Sequence, residues 1–502
     1  MTSHRPLRGT VFAVAVTAVA ALTVPTAVAA PAAAPPAAAP KKAAAKPNDF
    51  NGDGISDLAV AAPGGTAGRT AKAGHVSVVL GSRTQPVTAR KQTFHQDAPG
   101  VPGTAAPGDR YGSALAGGDL DQDGYADLLV GAFKDTPGPG RQEAGSVSVL
   151  WGGPKGLSAG ATLLEGADRH SWLGKSLAVG DFDGDGDQDV AVTEDQSRLR
   201  VLYGPFQRNG SPAASARVVN EEHRITDLAA GDVDRDGRAD LVAARYHSDL
   251  YEHPETAVWT GTAKGLPAQP KILRKHVNDR STPGGDNVDV GDVNRDGYAD
   301  VVVGRDDFRE TDLDVGKGGR IVFFPGSAKG PVVSKAVVLT QNTEGVPGAA
   351  AYGDYFGSGV SVADADGDGY ADIATGLPGK KAGGAEGAGA VMLLRGGAKG
   401  PTATGAKLFT QNTAGVPGAA EAKDAFGHST ALADLNGDQR PELIVGAVGE
   451  NRGAGSVWVF KGTRTGPTAS GSTAFGHGAL GTAAARDSAL GYAFDNANNY
   501  RR

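Results

Sequence analysis

A nine-residue acidic pattern recurs seven times along the chain, and this repetition limits the possible folds more than any other feature. The copies begin at residues 49, 119, 181, 232, 292, 364 and 434, so that successive copies are 51 to 72 residues apart. Their sequences are DFNGDGISD, DLDQDGYAD, DFDGDGDQD, DVDRDGRAD, DVNRDGYAD, DADGDGYAD and DLNGDQRPE. A repeat of this length is typical of one supersecondary unit that buries a shared core with its neighbours. The sequence therefore predicts a repeat architecture.

Oxygen-bearing side chains at positions 1, 3, 5 and 9 of each copy indicate a cation-binding loop. A glycine at position 6 lets the backbone turn sharply, so that these oxygens converge. Calcium fits best, because it prefers many oxygen ligands, whereas the chain has no cysteine and no paired histidines that would indicate zinc or copper. In the first loop the candidate ligands are the side chains of Asp49, Asn51, Asp53 and Asp57 and the carbonyl of Ile55.

The other six loops supply candidate ligands at the same positions, with position 7 contributing its carbonyl. These residues are Asp119, Asp121, Asp123, Tyr125, Asp127, Asp181, Asp183, Asp185, Asp187, Asp189, Asp232, Asp234, Asp236, Arg238, Asp240, Asp292, Asn294, Asp296, Tyr298, Asp300, Asp364, Asp366, Asp368, Tyr370, Asp372, Asp434, Asn436, Asp438, Arg440 and Glu442. Up to seven calcium ions are therefore predicted. The seventh loop is the weakest candidate, because Gln439 replaces the glycine and Glu442 replaces the last aspartate.

An ordinary turn and an EF-hand are the alternatives to a calcium loop of this kind. Asp, Asn and Gly are common turn residues, so one copy alone would fit a simple turn. Seven copies, however, concentrate carboxylates that would repel one another without a cation. An EF-hand opens with the same residues, but it needs flanking helices and a glutamate at position 12. Position 12 is Val, Ala or Thr in these loops, within short apolar runs such as LAVAAP and LLVGAF.

Those apolar runs predict buried strands after each loop, because they are short and rich in β-branched residues. A second, glycine-bounded strand follows, as in GHVSVVLG and GSVSVLWG. A hairpin and further strands complete each repeat, which places the acidic loop between strands one and two. Four-stranded antiparallel units repeated radially form a propeller. The predicted fold is therefore all-β, a seven-bladed β-propeller over residues 48–502.

The two ends of the repeat region predict how the ring closes. No strand precedes the first acidic loop, whereas a spare strand, DSALGYAF over residues 487–494, follows the last repeat. The C-terminal strand is therefore expected to close the first blade, which leaves no long unpaired edge.

Residues 1–30 predict a signal peptide. Positive residues up to Arg8 precede an apolar run from Val11 to Val24 and the small residues Ala-Val-Ala at 27–29. This order is typical of a secretory signal, with cleavage expected after Ala29 or Ala30 and an uncleaved anchor as the alternative. The apolar run is too short for a bilayer span, so a secreted, extracellular protein is predicted.

Composition excludes one class of partner and leaves one structural problem. The formal net charge is -7, so no basic surface is expected to neutralise nucleic-acid phosphates. Residues 31–47 are almost only Ala, Pro and Lys, which predicts an extended linker. An exported chain without cysteine has no disulfides to hold its loops, and bound calcium would supply that stabilisation.

The repeats also carry a recognisable pair of short motifs. Phe356-Gly357 opens one repeat, and Gly376-Leu377-Pro378 follows its acidic loop. Over roughly residues 48 to 495 the chain resembles the FG-GAP repeats that build the ligand-binding head of integrin α-subunits. The fourth and fifth blades depart from the motif, with Ile225-Thr226 and Asn287-Val288 in place of Phe-Gly.

The resemblance implies that partners bind on the face opposite the acidic loops. The connections expected on that face are residues 97–109, 246–253, 306–314, 342–354 and 412–424. Aromatic and arginine side chains dominate binding hot spots, so the candidate ligand-binding patch is Arg245, Tyr246, His247, Tyr251 and His253. An ordinary solvated hairpin is the alternative for this patch.

Catalytic motifs are missing from the sequence. There is no Gly-x-Ser-x-Gly elbow, no cysteine nucleophile and no H-E-x-x-H spacing, so an enzyme is not expected. The favoured function is a secreted calcium-binding module for adhesion or protein interaction, with an extracellular protein or glycan as partner. Because a fold does not fix a function, the alternative is a carbohydrate-active propeller, either a lectin or a polysaccharide-cleaving enzyme.

Overall fold

Antiparallel strands make up nearly all of the regular structure. The computed structural model describes residues 46–195, 197–219, 223–247, 254–274, 284–306 and 318–495. These residues form seven sheets, and within each sheet consecutive strands of the chain lie side by side. Six sheets have four strands, and the first has three plus a paired C-terminal segment. The predicted seven-bladed propeller is confirmed.

The first strand of each four-stranded blade lines a central channel. Numbered along the chain, these strands are β4 (Ala114–Gly118), β8 (Leu177–Gly180), β12 (His223–Gly231), β16 (Asn287–Gly291), β20 (Ser358–Ala363) and β24 (Phe426–Ala433). All six contribute to the wall of a cavity of about 320 Å³, and Asp495 occupies the wall beside the first blade. The inner strands are thus arranged in a ring around this channel.

The second strand of each blade lies in the middle of the sheet, with packed neighbours on both faces. These strands are β1 (Leu58–Ala62), β5 (Asp127–Ala132), β9 (Asp189–Glu194), β13 (Asp240–His247), β17 (Asp300–Arg305), β21 (Asp372–Leu377) and β25 (Glu442–Ala447). Burial on both faces explains why their sequences are nearly continuous apolar runs rather than alternating ones.

The third strands bury most of their side chains, whereas the fourth strands form the more exposed outer edges. The third strands are β2 (His75–Val79), β6 (Ser146–Leu150), β10 (Arg198–Tyr203), β14 (Pro254–Trp259), β18 (Arg320–Phe324), β22 (Ala390–Arg395) and β26 (Ser456–Lys461). The fourth strands are β3 (Lys91–Phe94), β7 (Gly160–Glu165), β11 (Ala214–Val219), β15 (Lys271–Ile272), β19 (Val337–Leu339), β23 (Thr402–Phe409) and β27 (Thr468–Phe475). Among the residues that the structure describes, helix is limited to single turns at Val333–Lys335, Glu450–Gly453 and His477–Leu480.

In the part of the chain that the structure describes, seven separate hydrophobic clusters hold the blades together, one between each adjacent pair. The cluster between blades two and three, for example, contains Leu129, Trp151, Leu173 and Val190, each at most 3% exposed. An equivalent cluster joins blade seven to blade one and includes Val60, Ile444 and Phe494. Burial of apolar surface between sheets is therefore continuous around the ring, and it is the main stabilising contribution to the fold.

The C-terminal segment closes the first blade, as predicted. Phe494 forms an antiparallel bridge with Val60 of β1. The Ala61 N–H donates to the carbonyl of Ala493 at 2.9 Å, and the Gly491 N–H donates to the carbonyl of Ala61 at 3.0 Å. Because the chain has no cysteine, no disulfide secures this junction, and these backbone bonds and the cluster around Phe494 hold it.

Candidate metal centres

Every acidic loop leads into the second strand of its blade, as the sequence predicts. In the second blade, for instance, the loop over 119–127 runs from the end of β4 into β5. Because this connection recurs in the same place in each blade, all seven loops lie at one end of the strands. The loops therefore share one face of the ring.

The first residue of each loop organises the turn through its carboxylate. In the first loop, Asp49 accepts hydrogen bonds from the N–H of Asp53 at 3.0 Å and of Gly54 at 2.8 Å. Position 6 needs a left-handed backbone, which glycine adopts without strain; Gly54 has φ 81°. Gln439 adopts the same conformation in loop seven, with φ 65°, and still donates to Asp434 at 2.9 Å. The seventh loop therefore keeps the shape of the others.

The last residue of each loop is a buried acid that ties the loop to the rest of its blade. Asp57 accepts from the N–H of Phe50 at 3.0 Å and from the N–H of Gly81, which follows the third strand, at 2.8 Å. Equivalent glycines follow the third strands of the other blades and donate to their own position-9 acids. They are Gly152, Gly204, Gly261, Gly326, Gly396 and Gly462. Sequence analysis missed this role, although a glycine after each third strand is visible in the sequence.

Burial raises the pKa of the position-9 carboxyl in all seven loops, and neighbouring loop carboxylates raise it further. The pKa reaches about 8 for Asp57 and Asp127, and about 7 for Asp189, Asp240, Asp300, Asp372 and Glu442. Backbone N–H donors lower each of these values in part. A cation among the carboxylates would favour the charged form and lower the pKa.

Four loops bring three carboxylate oxygens within 4.8 Å of one another. The groups are Asp119, Asp121 and Asp127; Asp181, Asp183 and Asp189; Asp232, Asp234 and Asp240; and Asp364, Asp366 and Asp368. The first, fifth and seventh loops have asparagine at position 3, which offers an amide oxygen instead. This donor set contains only oxygen, which suits calcium and does not suit the softer transition metals. The residues present therefore fit a hard divalent cation.

The predicted ligand-binding patch lies in and beyond β13. Arg245 is 4% exposed and Tyr246 is 3% exposed. The Arg245 guanidinium pairs with Glu255 at 3.1 Å, and the Tyr246 hydroxyl hydrogen-bonds Asp286. The backbone of His247 pairs with that of His223, whereas Tyr251 and His253 lie outside the described residues. Arg245 and Tyr246 thus have partners within the protein, and ligand binding by this patch stays a prediction.

Three of the connections predicted for the opposite face share the sequence Gly-Val-Pro-Gly. They join a fourth strand to the next first strand, at residues 97–109, 342–354 and 412–424. Each connection lies against the fourth strand of the following blade or the turn before it, where glycines approach Ala159, Ala403 and Ala469. These connections therefore help to hold adjacent blades together. The connections at 246–253 and 306–314 fall largely outside the described residues.

Comparison with known families agrees with this architecture. The family described as FG-GAP repeat matches residues 45–79, 111–150, 356–394 and 426–460, and an FG-GAP-like repeat matches residues 181–243. These matches fall on blades that carry acidic loops. The chain therefore carries FG-GAP repeats within a seven-bladed β-propeller.

Individual relatives include integrin alpha subunits and phosphatidylinositol-glycan-specific phospholipases D. Integrin alpha-PS2 of Drosophila melanogaster is 28% identical over 224 residues, which is 41% of this chain and 15% of the integrin. Integrin alpha-V of Gallus gallus is 28% identical over 224 residues, 40% of this chain and 19% of the integrin. Phosphatidylinositol-glycan-specific phospholipase D of Mus musculus is 32% identical over 177 residues, 31% of this chain and 21% of the phospholipase.

The chain therefore spans about a fifth or less of the length of these relatives. The shared region is related both to integrin subunits and to phospholipases. That the chain is not an enzyme stays a prediction. Among the described residues, no helix has the length and apolar character needed to cross a membrane.

Proposed function

We propose that the protein is a secreted, calcium-binding propeller that acts outside the cell as an adhesion or protein-interaction module. The observation that carries the calcium part is the recurrence of one all-oxygen donor set in seven structurally equivalent loops. The position-9 acids are buried beside other carboxylates, an arrangement in which a cation would stabilise the charged form. Calcium at extracellular concentrations is the cation whose chemistry fits this set.

Melting in the presence and absence of calcium tests this part of the proposal. Extracellular calcium modules have Kd values of about 10⁻⁴ to 10⁻³ M, so about 2 mM calcium would stabilise the fold by about 0.7 to 1.8 kcal/mol per occupied loop. We expect chelation with EGTA to lower the Tm, calcium to restore it, and magnesium at the same concentration to restore it poorly. An unchanged Tm in EGTA would refute calcium binding.

A loop variant and a matched surface variant sharpen that measurement. Asp183→Ala removes one ligand from the third loop and should reduce the calcium-dependent increase in Tm. Glu386→Gln removes one negative charge from an exposed side chain outside the acidic loops and should leave the increase unchanged. Equal effects of both variants would indicate a general charge effect rather than ligation.

The adhesion part of the proposal is supported by the integrin relatives, and it requires a protein partner. The test is capture of extracellular or cell-wall proteins by the purified chain with and without calcium. Specific, calcium-dependent capture of a protein supports the proposal.

Amino-terminal sequencing of the exported product tests the predicted cleavage after Ala29 or Ala30.

A glycan-directed function is the second candidate, because phosphatidylinositol-glycan-specific phospholipase D also matches part of the propeller. A glycan array and an assay for newly released reducing ends separate the two candidates. Array binding without released ends would indicate a lectin, and released ends would indicate an enzyme. Protein capture without either signal favours the interaction module.

A further inference from the structure

The sixth acidic loop has a positively charged side chain of the protein at its ligand positions. Arg395 ends β22, immediately before Gly396, the glycine that donates to Asp372 at 2.9 Å. Its Nη2 atom hydrogen-bonds Asp366 and lies 3.4 Å from Asp368, while Nε lies 3.3 Å from Asp372. One guanidinium therefore contacts positions 3, 5 and 9 of the same loop.

This guanidinium is enclosed rather than free on the surface. The Arg395 side chain is 13% exposed, and its partners Asp366 and Asp372 are 9% and 0% exposed. Glycines leave the space it occupies: a Cβ on Gly466 would lie 3.0 Å from Nη1, and one on Gly405 would lie 3.3 Å from Cγ. Because arginine stays protonated at all ordinary pH values, this positive charge is permanent.

The sixth blade differs from the others at this position. The residue before the equivalent glycine is Leu80, Trp151, Tyr203, Thr260, Pro325 and Lys461 in the remaining blades. Of these only Lys461 is charged, and it is exposed. Arg208 approaches the second loop from the third blade, where it contacts Asp121 at 2.7 Å, but its side chain is 52% exposed. An exposed guanidinium can move into water readily, whereas Arg395 has neighbours on several sides.

We infer that Arg395 is the resident counter-cation of the sixth loop and competes with calcium for its carboxylates. This inference rests on the proposed calcium function. Calcium can use Asp366, Asp368 and Asp372 together only after the guanidinium leaves them. The sixth loop, whose sequence DADGDGYAD fits the calcium pattern fully, is therefore filled last, and its stability depends less on calcium than that of loops three and four.

Equilibrium dialysis across calcium concentrations from about 10⁻⁵ to 10⁻² M tests the competition with four variants. Arg395→Gln removes the guanidinium and keeps a polar side chain of similar reach. Arg141→Gln is the matched control, since Arg141 is a half-buried arginine paired with Glu165, and both residues lie outside the acidic loops. Asp366→Ala, in the otherwise unchanged protein, removes a ligand from the sixth loop.

Arg395→Gln is expected to strengthen calcium binding at one site by about tenfold, which corresponds to about 1.4 kcal/mol, while Arg141→Gln leaves the isotherm unchanged. Asp366→Ala should leave the number of tight sites unchanged, whereas Asp183→Ala in the third loop removes one. The Asp366 comparison does not depend on how well the Arg395 variant folds. Equal calcium binding by the wild type and Arg395→Gln would overturn the inference while the calcium function stands.

Thermal melting separates competition from a purely structural role. If Arg395 is a counter-cation, Arg395→Gln melts below the wild type in EGTA and at or above it in saturating calcium. A lower Tm in both conditions would show that Arg395 only holds the loop together, and would overturn the inference. Failure of every protein, wild type included, to bind calcium would refute the calcium function and the inference with it.

Discussion

The junction between the last and first blades is where a single side chain should matter most for global stability. Phe494 is fully buried in the cluster that joins blade seven to blade one, with Val60 and Leu490 among its neighbours. Phe494→Ala removes the ring but leaves the backbone bonds between Ala61 and Ala493. Loss of a buried phenyl group and the cavity that it leaves cost about 3 to 5 kcal/mol.

Urea unfolding, followed by fluorescence and by circular dichroism, measures this cost. Val338→Ala is the control, since Val338 is 45% exposed and surface substitutions change stability by about 0.5 kcal/mol or less. We also expect a chain ending at Gly481 to lose cooperative unfolding, because it lacks both the backbone bonds and the packing of the closing segment. If Phe494→Ala and Val338→Ala had equal midpoints, or if the truncated chain unfolded normally, the closure argument would be wrong.

Two further predictions concern acids and histidines. The Asp240 carboxylate accepts hydrogen bonds from the N–H groups of Val233 and Gly261, both at 2.8 Å. Asp240→Asn should therefore lower the unfolding free energy by about 1 to 3 kcal/mol with or without calcium, whereas Asp236→Asn should lower it only in calcium. Urea titrations in EGTA and in calcium measure both effects. Burial lowers the pKa of His428 to about 4 in the folded protein, below the value of about 6.5 in the unfolded chain. The neutral His428 side chain therefore contributes its full stability above about pH 6.5, and this stability is lost as the pH falls through about 4. The unfolding free energy lost in this way is about 3 kcal/mol. His428→Gln should therefore lose less stability than the wild type between about pH 7.5 and 4, and identical profiles of unfolding free energy against pH for the two proteins would contradict this prediction.

Much of the fold could be predicted because its determinants are local and repeated. The glycine-containing acidic turn, the apolar run after it and the glycine-bounded third strand each depend on neighbouring residues, and seven copies identify the repeat. Even the blades that lack Phe-Gly form their inner strands. In these blades Ile225 is 1% exposed, and Asn287 is fully buried and donates to the carbonyl of Gly357 at 3.2 Å, so other side chains fill the buried positions of the motif.

The environment of the predicted patch could not be derived in the same way, because it depends on strand register. Arg245 lies opposite Glu255 on the adjacent strand, and His223 and Arg274 contact the same carboxylate. Burial raises the pKa of Glu255, but hydrogen bonds and charge interactions with these three side chains outweigh it and lower the pKa to about 2. Composition alone presented Arg245 as a binding residue, whereas the register gives it an internal ion-pair partner. The contact of Arg395 with the sixth loop also could not be predicted, because it depends on how β22, the third strand of that blade, is placed beside the loop.

Hydrogen bonds between successive loops connect the candidate metal centres with ring closure. In the first, second, fourth, fifth and sixth loops, the N–H at position 8 donates to the position-1 carbonyl of the loop before it, as Ala126 does to Asp49 at 3.0 Å and Ala371 does to Asp292 at 3.0 Å. The same bond crosses the closing junction, from Ser56 to Asp434 at 3.2 Å. A cation that fixes Asp434 would therefore also fix the carbonyl to which the first blade is bonded. In a chain without cysteine, ion binding in the loops and closure of the ring would then stabilise each other.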